Sequence, residues 1–199
     1  MSRKVLPAAL LLCTLVASVR GVCKTGALTE QEQAVLDQHN KHRAKHVDTD
    51  PLCYGVSGND VTFTSQTWTE TIAGQGTMKH STGSYGENLA TAGRTPAEAL
   101  TQTPAYIQST DMWYEEIQYW DYATNAKSTS APSNEPTGHF TQVVWRASKQ
   151  VNCGYATYKN AYNNYMVTCQ YFPPGNYNNQ YAANVGPVSY THLRAHETR

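Results

Sequence analysis

Neither a strong charge imbalance nor a second long apolar run marks this 199-residue chain, and each absence removes a class of function. Charged residues make up only 15% of it and cancel formally. Between residues 22 and 186, 10 basic side chains face 14 acidic ones. Nucleic acids and anionic membrane surfaces reward clustered cations, so nucleic acid is excluded as the main partner. After residue 21 no stretch reaches the roughly 20 apolar residues that cross a bilayer, which excludes stable membrane insertion. The chain has no internal repeat. It lacks the two-histidine helix motif of metallopeptidases, and Ser81 and Ser84 lack the strand-elbow-helix setting of an activated serine.

What is present begins with a targeting signal. Arg3 and Lys4 precede an apolar stretch from Val5 to Val19, with small residues at Ala17, Ser18 and Gly21 where a peptidase could cut. Residues 1–21 therefore read as a signal peptide, and the protein as secreted and extracellular. The whole chain is 40% hydrophobic, enough for the part after the signal to fill one core, a single domain over 22–186. Pro187 to Arg199 has no periodicity and abruptly gathers two histidines and two arginines, so 187–199 reads as a non-native tail.

Cys13 falls in the signal, leaving Cys23, Cys53, Cys153 and Cys169, an even number suited to two disulfides in a secreted chain. Two Tyr- and Val-rich runs, 151–158 and 165–172, flank a polar stretch and predict a β-hairpin. Centred on Ala161, it pairs residues whose numbers sum to 322, which sets Cys153 opposite Cys169. Cys23 is left to Cys53.

Thr29 with Glu32 forms a capping box and predicts a helix over 30–46, its buried stripe including Val35, His39 and Arg43. A second helix is predicted over 65–79. Thr95-Pro96-Ala97-Glu98 repeats the capping pattern. Pro104 is then expected to interrupt, with a third helix over 105–120 whose face holds Ile107, Trp113, Ile117 and Trp120. Glu116 lies within that apolar face and needs a reason. Tyr122 to Thr137 reads as a surface loop rich in Ser, Thr, Asn and Pro, and Gly138 to Trp145 as a short helix.

Three stretches, in order, resemble the CAP family of cysteine-rich secretory, antigen-five and pathogenesis-related proteins. They are Tyr85-Gly86-Glu87-Asn88-Leu89-Ala90, Gly138 to Trp145 (GHFTQVVW) and Cys169 to Tyr177. His39 to Arg43 and Met112 to Ile117 support the match, which covers about 28–185. The resemblance implies an α+β fold, an α-β-α sandwich with a central antiparallel sheet, and a shallow cleft lined by His80, Glu87, Glu116 and His139. Two neutral imidazoles could hold zinc or another divalent cation, with the carboxylates as ligands or as partners orienting the rings. The structural alternative has both glutamates bonded to backbone N–H groups and to the histidines, knitting the sheet to the third helix.

The function expected from the resemblance is a secreted CAP-domain binding protein with a divalent-cation cleft. Its partner would be a sterol, a fatty acid or a surface molecule, in defence, venom or reproduction. Family members bind sterols at the loop before GHFTQVVW, which here carries Tyr122, Pro132 and Pro136 and is otherwise polar from Ala123 to Thr137. Tyr114, Tyr119 and Tyr122 match a loose aromatic spacing for sterol binding but belong with the third helix, where packing is the plainer reading. The alternatives are a metal-dependent peptidase or esterase and a purely structural interaction module.

Overall fold

A computed structural model describes residues 22–58, 60–92, 100–158 and 164–189. The signal sequence, the 95–98 capping pattern and the hairpin loop fall outside them. The elements that follow are β1 (Val22–Cys23), α1 (Glu30–Arg43), β2 (Cys53–Val56), α2 (Ser65–Gln75) and β3 (Gly86–Ala92). Next come α3 (Gln102–Glu115), β4 (Trp120–Asp121), β5 (Ala126–Lys127) and α4 (Gly138–Val143). The hairpin β6 (Gln150–Tyr158) and β7 (Asn164–Phe172), then α5 (Tyr181–Asn184), complete the chain.

Five strands form one sheet in the order β1-β2-β6-β7-β3, with α2 on one face and α1, α3 and α4 on the other. This is the α-β-α sandwich. One pair departs from the antiparallel expectation: β2 runs parallel to β6, Cys53 opposite Gln150. The nearly one hundred residues between these strands, with α2 and α3 among them, supply the long crossover that a parallel pair requires.

The hairpin has the register derived from its sequence, with Cys153 opposite Cys169 and Gln150 opposite Phe172. Both disulfides form as expected, Cys153–Cys169 and Cys23–Cys53. Side-chain alternation along β7 then divides the interior. Val167, Cys169 and Tyr171 face the main core under α1, α3 and α4, while Met166 joins Leu89 and Ile72 under α2. Gly154 is needed on the α2 face, where a Cβ would lie 2.3 Å from the Ser65 carbonyl oxygen.

The capping box of α1 is complete: Glu32 N donates to Thr29 Oγ1 at 3.2 Å and Thr29 N to Glu32 Oε2 at 2.8 Å. The helix stops at Arg43 rather than His46: Ala44 N still reaches Asn40 O, but Lys45 N and His46 N reach back only three residues, to the carbonyls of His42 and Arg43. α2 stops at Gln75, short of Lys79, where Gly76 takes a left-handed conformation at φ 68°. α3 starts before Pro104 instead of after it. Proline is tolerated there because first-turn N–H groups have no intrahelical acceptor. The buried face of α3 is Ala105, Tyr106, Ser109, Thr110, Trp113 and Tyr114, so Ile107 points outward. The expected loop after Tyr122 contains β5, paired with β4. Packing continues past residue 186: Val47 N donates to Pro187 O at 3.0 Å and Ser189 N to Lys45 O at 2.8 Å.

α1 is tied to the rest by polar groups. Arg43 is fully buried, its Nε donating to Asp50 O, Nη1 to Val143 O and Trp145 O, and Nη2 to Ser148 O. His39 is the satisfied core histidine expected, donating from Nδ1 to Val35 O at 2.7 Å and accepting at Nε2 from the Tyr171 hydroxyl at 2.8 Å.

Candidate functional site

Strand β3 is the sheet's outer edge, and the four expected site residues lie beside it as two pairs. Glu87 points to the α2 face, opposite Gln170 of β7. His80, in the segment that leads into β3, donates from Nδ1 to Glu87 Oε1 at 2.8 Å; a carboxylate only accepts, so Nδ1 carries the proton. The same carboxylate accepts from Ser81 N at 2.9 Å, Gln170 Nε2 at 3.1 Å and the Ser81 hydroxyl. The Glu87 side chain is 6% exposed and that of His80 64%. Burial pushes the Glu87 carboxyl up, yet its hydrogen bonds together outweigh this and hold it below the usual range. The bond to Glu87 in turn raises His80 above an ordinary imidazole.

The second pair sits across the strand. Glu116 lies in a 3-10 turn, 116–119, that continues α3. Its Oε1 accepts from His139 Nδ1 at 2.6 Å, and its Oε2 from the N–H groups of His139 at 3.0 Å and Phe140 at 3.1 Å. This supplies the reason for an acid on an apolar face. The Glu116 carboxylate satisfies N–H groups in the first turn of α4, whose own N-cap Thr137 makes no side-chain cap bond. The His139 ring stacks on Trp113 at 6.3 Å between centroids and is 29% exposed.

Each ring thus spends Nδ1 on a buried carboxylate, leaving Nε2 as its unengaged nitrogen. Each oxygen of Glu87 accepts two donors, and the Glu116 carboxylate accepts three in all. Among the described residues no group of three or more His, Cys, Asp or Glu side chains is placed to hold a metal ion. The ring nitrogens that could take a cation such as zinc are therefore Nε2 of His80 and Nε2 of His139, with Glu87 and Glu116 orienting the rings.

Several supporting residues were not legible in the sequence. Ser81 and Gln170 complete the shell of Glu87. Asn88 donates to His139 O at 3.1 Å and to the Tyr171 hydroxyl at 3.3 Å, joining β3 to α4 and, through Tyr171, to His39. Trp113 Nε1 donates to Leu89 O at 3.1 Å, covering a backbone carbonyl of the edge strand.

The three tyrosines singled out for lipid are arranged differently. Tyr114 is buried, its ring stacked on His42 at 3.9 Å and its hydroxyl donating to His46 Nε2 at 3.0 Å. Tyr119 and Tyr122 are half-buried. A cavity of about 480 Å³ opens between the β4–β5 hairpin and α5, lined by Trp120, Lys127, Thr137, Thr141 and Tyr181 among others. None of the three tyrosines and none of the four His and Glu residues lines it.

A family model described as the cysteine-rich secretory protein family, CAP, matches residues 36–171. The chain belongs to this family. Pathogenesis-related protein 1A of Nicotiana tabacum is 35% identical over 146 residues, covering 73% of this chain and 77% of the tobacco protein. Protein PRY2 of Saccharomyces cerevisiae is 34% identical over 156 residues, covering 78% of this chain and 41% of the yeast protein, so the chain spans under half of that relative. Among solved structures, BmVAL-1 matches at a TM-score of 0.56 and 20% identity, over 78% of this chain and 83% of that one. That likeness carries the CAP fold alone.

Proposed function

We propose that this CAP domain is a secreted binding protein whose surface along β3 takes a divalent cation, zinc being the best match to its nitrogen donors, through Nε2 of His80 and His139. The observation that carries the reading is the shared arrangement of the two rings: each has Nδ1 fixed by a buried carboxylate, the orientation found behind metal-binding imidazoles. A bound cation would supply positive charge for acceptor groups of a partner. With two protein ligands its affinity is modest, and water or the partner completes the shell.

Binding is favoured over hydrolysis by the state of the acids. A general base needs a carboxylate oxygen free to take a proton from water; each oxygen of Glu87 already accepts two protein donors, and Glu116 is engaged in holding His139 and the first turn of α4. Ser81 donates to Glu87 rather than to an imidazole, so it is not set up as a nucleophile.

Calorimetric titration of zinc into the mature protein and into the double variant His80→Ala/His139→Ala tests this reading. Saturable binding present in the first and absent from the second is expected; equal binding by both would remove the cation site. A second reading, a lipid ligand, is supported by the cavity beside Trp120 and Tyr181, whose volume falls within the range of small-molecule sites. A sterol and a fatty acid, each titrated against wild type and Ala126→Trp, should lose affinity in the variant. No saturable binding of either to wild type would withdraw the lipid reading.

A further inference from the structure

The loop from β5 to α4, residues 128–137, carries five hydroxyl side chains and two prolines in ten positions, and neither histidine pair uses them. In a secreted chain such a composition is that of O-glycosylated segments. The whole sequence contains no Asn-x-Ser or Asn-x-Thr triplet, so the nitrogen-linked route is closed to it. We propose that Thr129 is a site of O-linked glycosylation, with Ser133 as a second acceptor on the same loop; this rests on the secretion included in the proposed function.

The geometry separates these two hydroxyls from their neighbours. Ala131 N donates to Ser128 O at 3.1 Å, closing a turn with Thr129 and Ser130 at its corners, both exposed. Ser128 and Ser130 share a hydroxyl-hydroxyl bond of 2.8 Å, and Ser128 Oγ also accepts from Ser130 N at 3.3 Å. Thr137 is only half-exposed and leads into α4. The side chains of Thr129 and Ser133 are exposed and make no hydrogen bond among the described residues, so an enzyme can engage them without opening the fold. Lys127 Nζ holds the loop from below, donating to Pro132 O at 2.7 Å and Ser133 O at 3.1 Å. Pro132 and Pro136 keep the surrounding backbone out of helix and sheet pairing.

The co-reactant is a sugar nucleotide, a glycosyl diphosphate supplied with its transferase in the secretory route. Thr129 Oγ1 attacks the anomeric carbon, the oxygen-carbon bond forms, and the bond from that carbon to the diphosphate oxygen breaks. The nucleoside diphosphate leaves with the electron pair, the hydroxyl proton passes to a base, and nothing is oxidised or reduced.

The test is to express the full chain in a secreting eukaryotic cell line, purify it from the medium, and combine intact mass with electron-transfer fragmentation. The expected mass exceeds that of the mature polypeptide by whole sugar residues, hexose or N-acetylhexosamine being told apart by their increments. Fragments should locate sugar on Thr129, and Thr129→Ala/Ser133→Ala should restore the bare mass. An unmodified chain in the medium, or sugar only outside residues 128–137, overturns the proposal and leaves secretion standing. A chain retained in the cells with its leader intact overturns both.

Discussion

Replacing Glu116 by alanine separates a carboxylate that holds the fold from one that holds a ligand. The change deletes the acceptor for His139 N, Phe140 N and His139 Nδ1, and Phe140 is fully buried. Hydrogen bonds to a charged acceptor contribute about 1.5–3 kcal/mol each, and a buried donor left unpaired costs about 1–3 kcal/mol. Allowing for relaxation of the short helix α4, Glu116→Ala should lose about 3–5 kcal/mol, a large part of the roughly 5–15 kcal/mol that stabilises a domain. Glu116→Gln keeps an accepting oxygen and should lose only about 1–2 kcal/mol. Urea unfolding in the presence of a chelator reads this directly, as a lower midpoint at unchanged slope. The melting temperature should fall by roughly 10 °C at about 2–4 °C per kcal/mol. A loss below about 1 kcal/mol for Glu116→Ala in chelator, with zinc affinity weakened, would refute this reasoning and make Glu116 a ligand.

Arg43→Lys should cost about 2–4 kcal/mol by the same measurement, since a lysine presents three donors on one nitrogen where the planar Arg43 fork serves four carbonyls, those of Val143, Trp145 and Ser148 buried and that of Asp50 nearer the surface; an unchanged midpoint would contradict the role assigned to it. Burial lowers His39 to about 3 and His46 to about 4, so between those values and the unfolded 6.5 the unfolded chain binds more protons. Stability should therefore be greatest above pH 6.5 and fall with acid by about 1.4 kcal/mol per pH unit for each of the two, and a profile flat from pH 6.5 to 4.5 would count against it. Because the bond to Glu87 raises His80, its protonation should already weaken zinc binding as the pH falls from about 7.5 to 6, and zinc affinity unchanged down to pH 6 would exclude His80 as a ligand.

Where a contact is local or fixed by strand geometry, the sequence was enough to find it. The capping box at Thr29 and Glu32 involves four consecutive residues, and strand alternation about Ala161 sets Cys153 against Cys169. Pro104 misled because its effect depends on its place in the helix: three residues after the N-cap it removes no bond. Ile107 misled because the inward face of α3 includes Ser109 and Thr110, which hydrophobicity alone leaves out. The site was legible only through the family motifs. Glu87 meets Gln170 because β3 lies beside β7, and Glu116 meets α4 because the polar loop between them folds back, and neither contact leaves a periodic trace.

The most direct measurement is nitrogen NMR of histidine-labelled mature protein as zinc is added. His39, His42 and His46 have both ring nitrogens engaged within the fold and act as internal references. The Nε2 resonances of His80 and His139 should move together and saturate, each Nδ1 keeping its proton against its carboxylate. Zinc that leaves both Nε2 signals in place, or that strips the proton from Nδ1, would contradict the account.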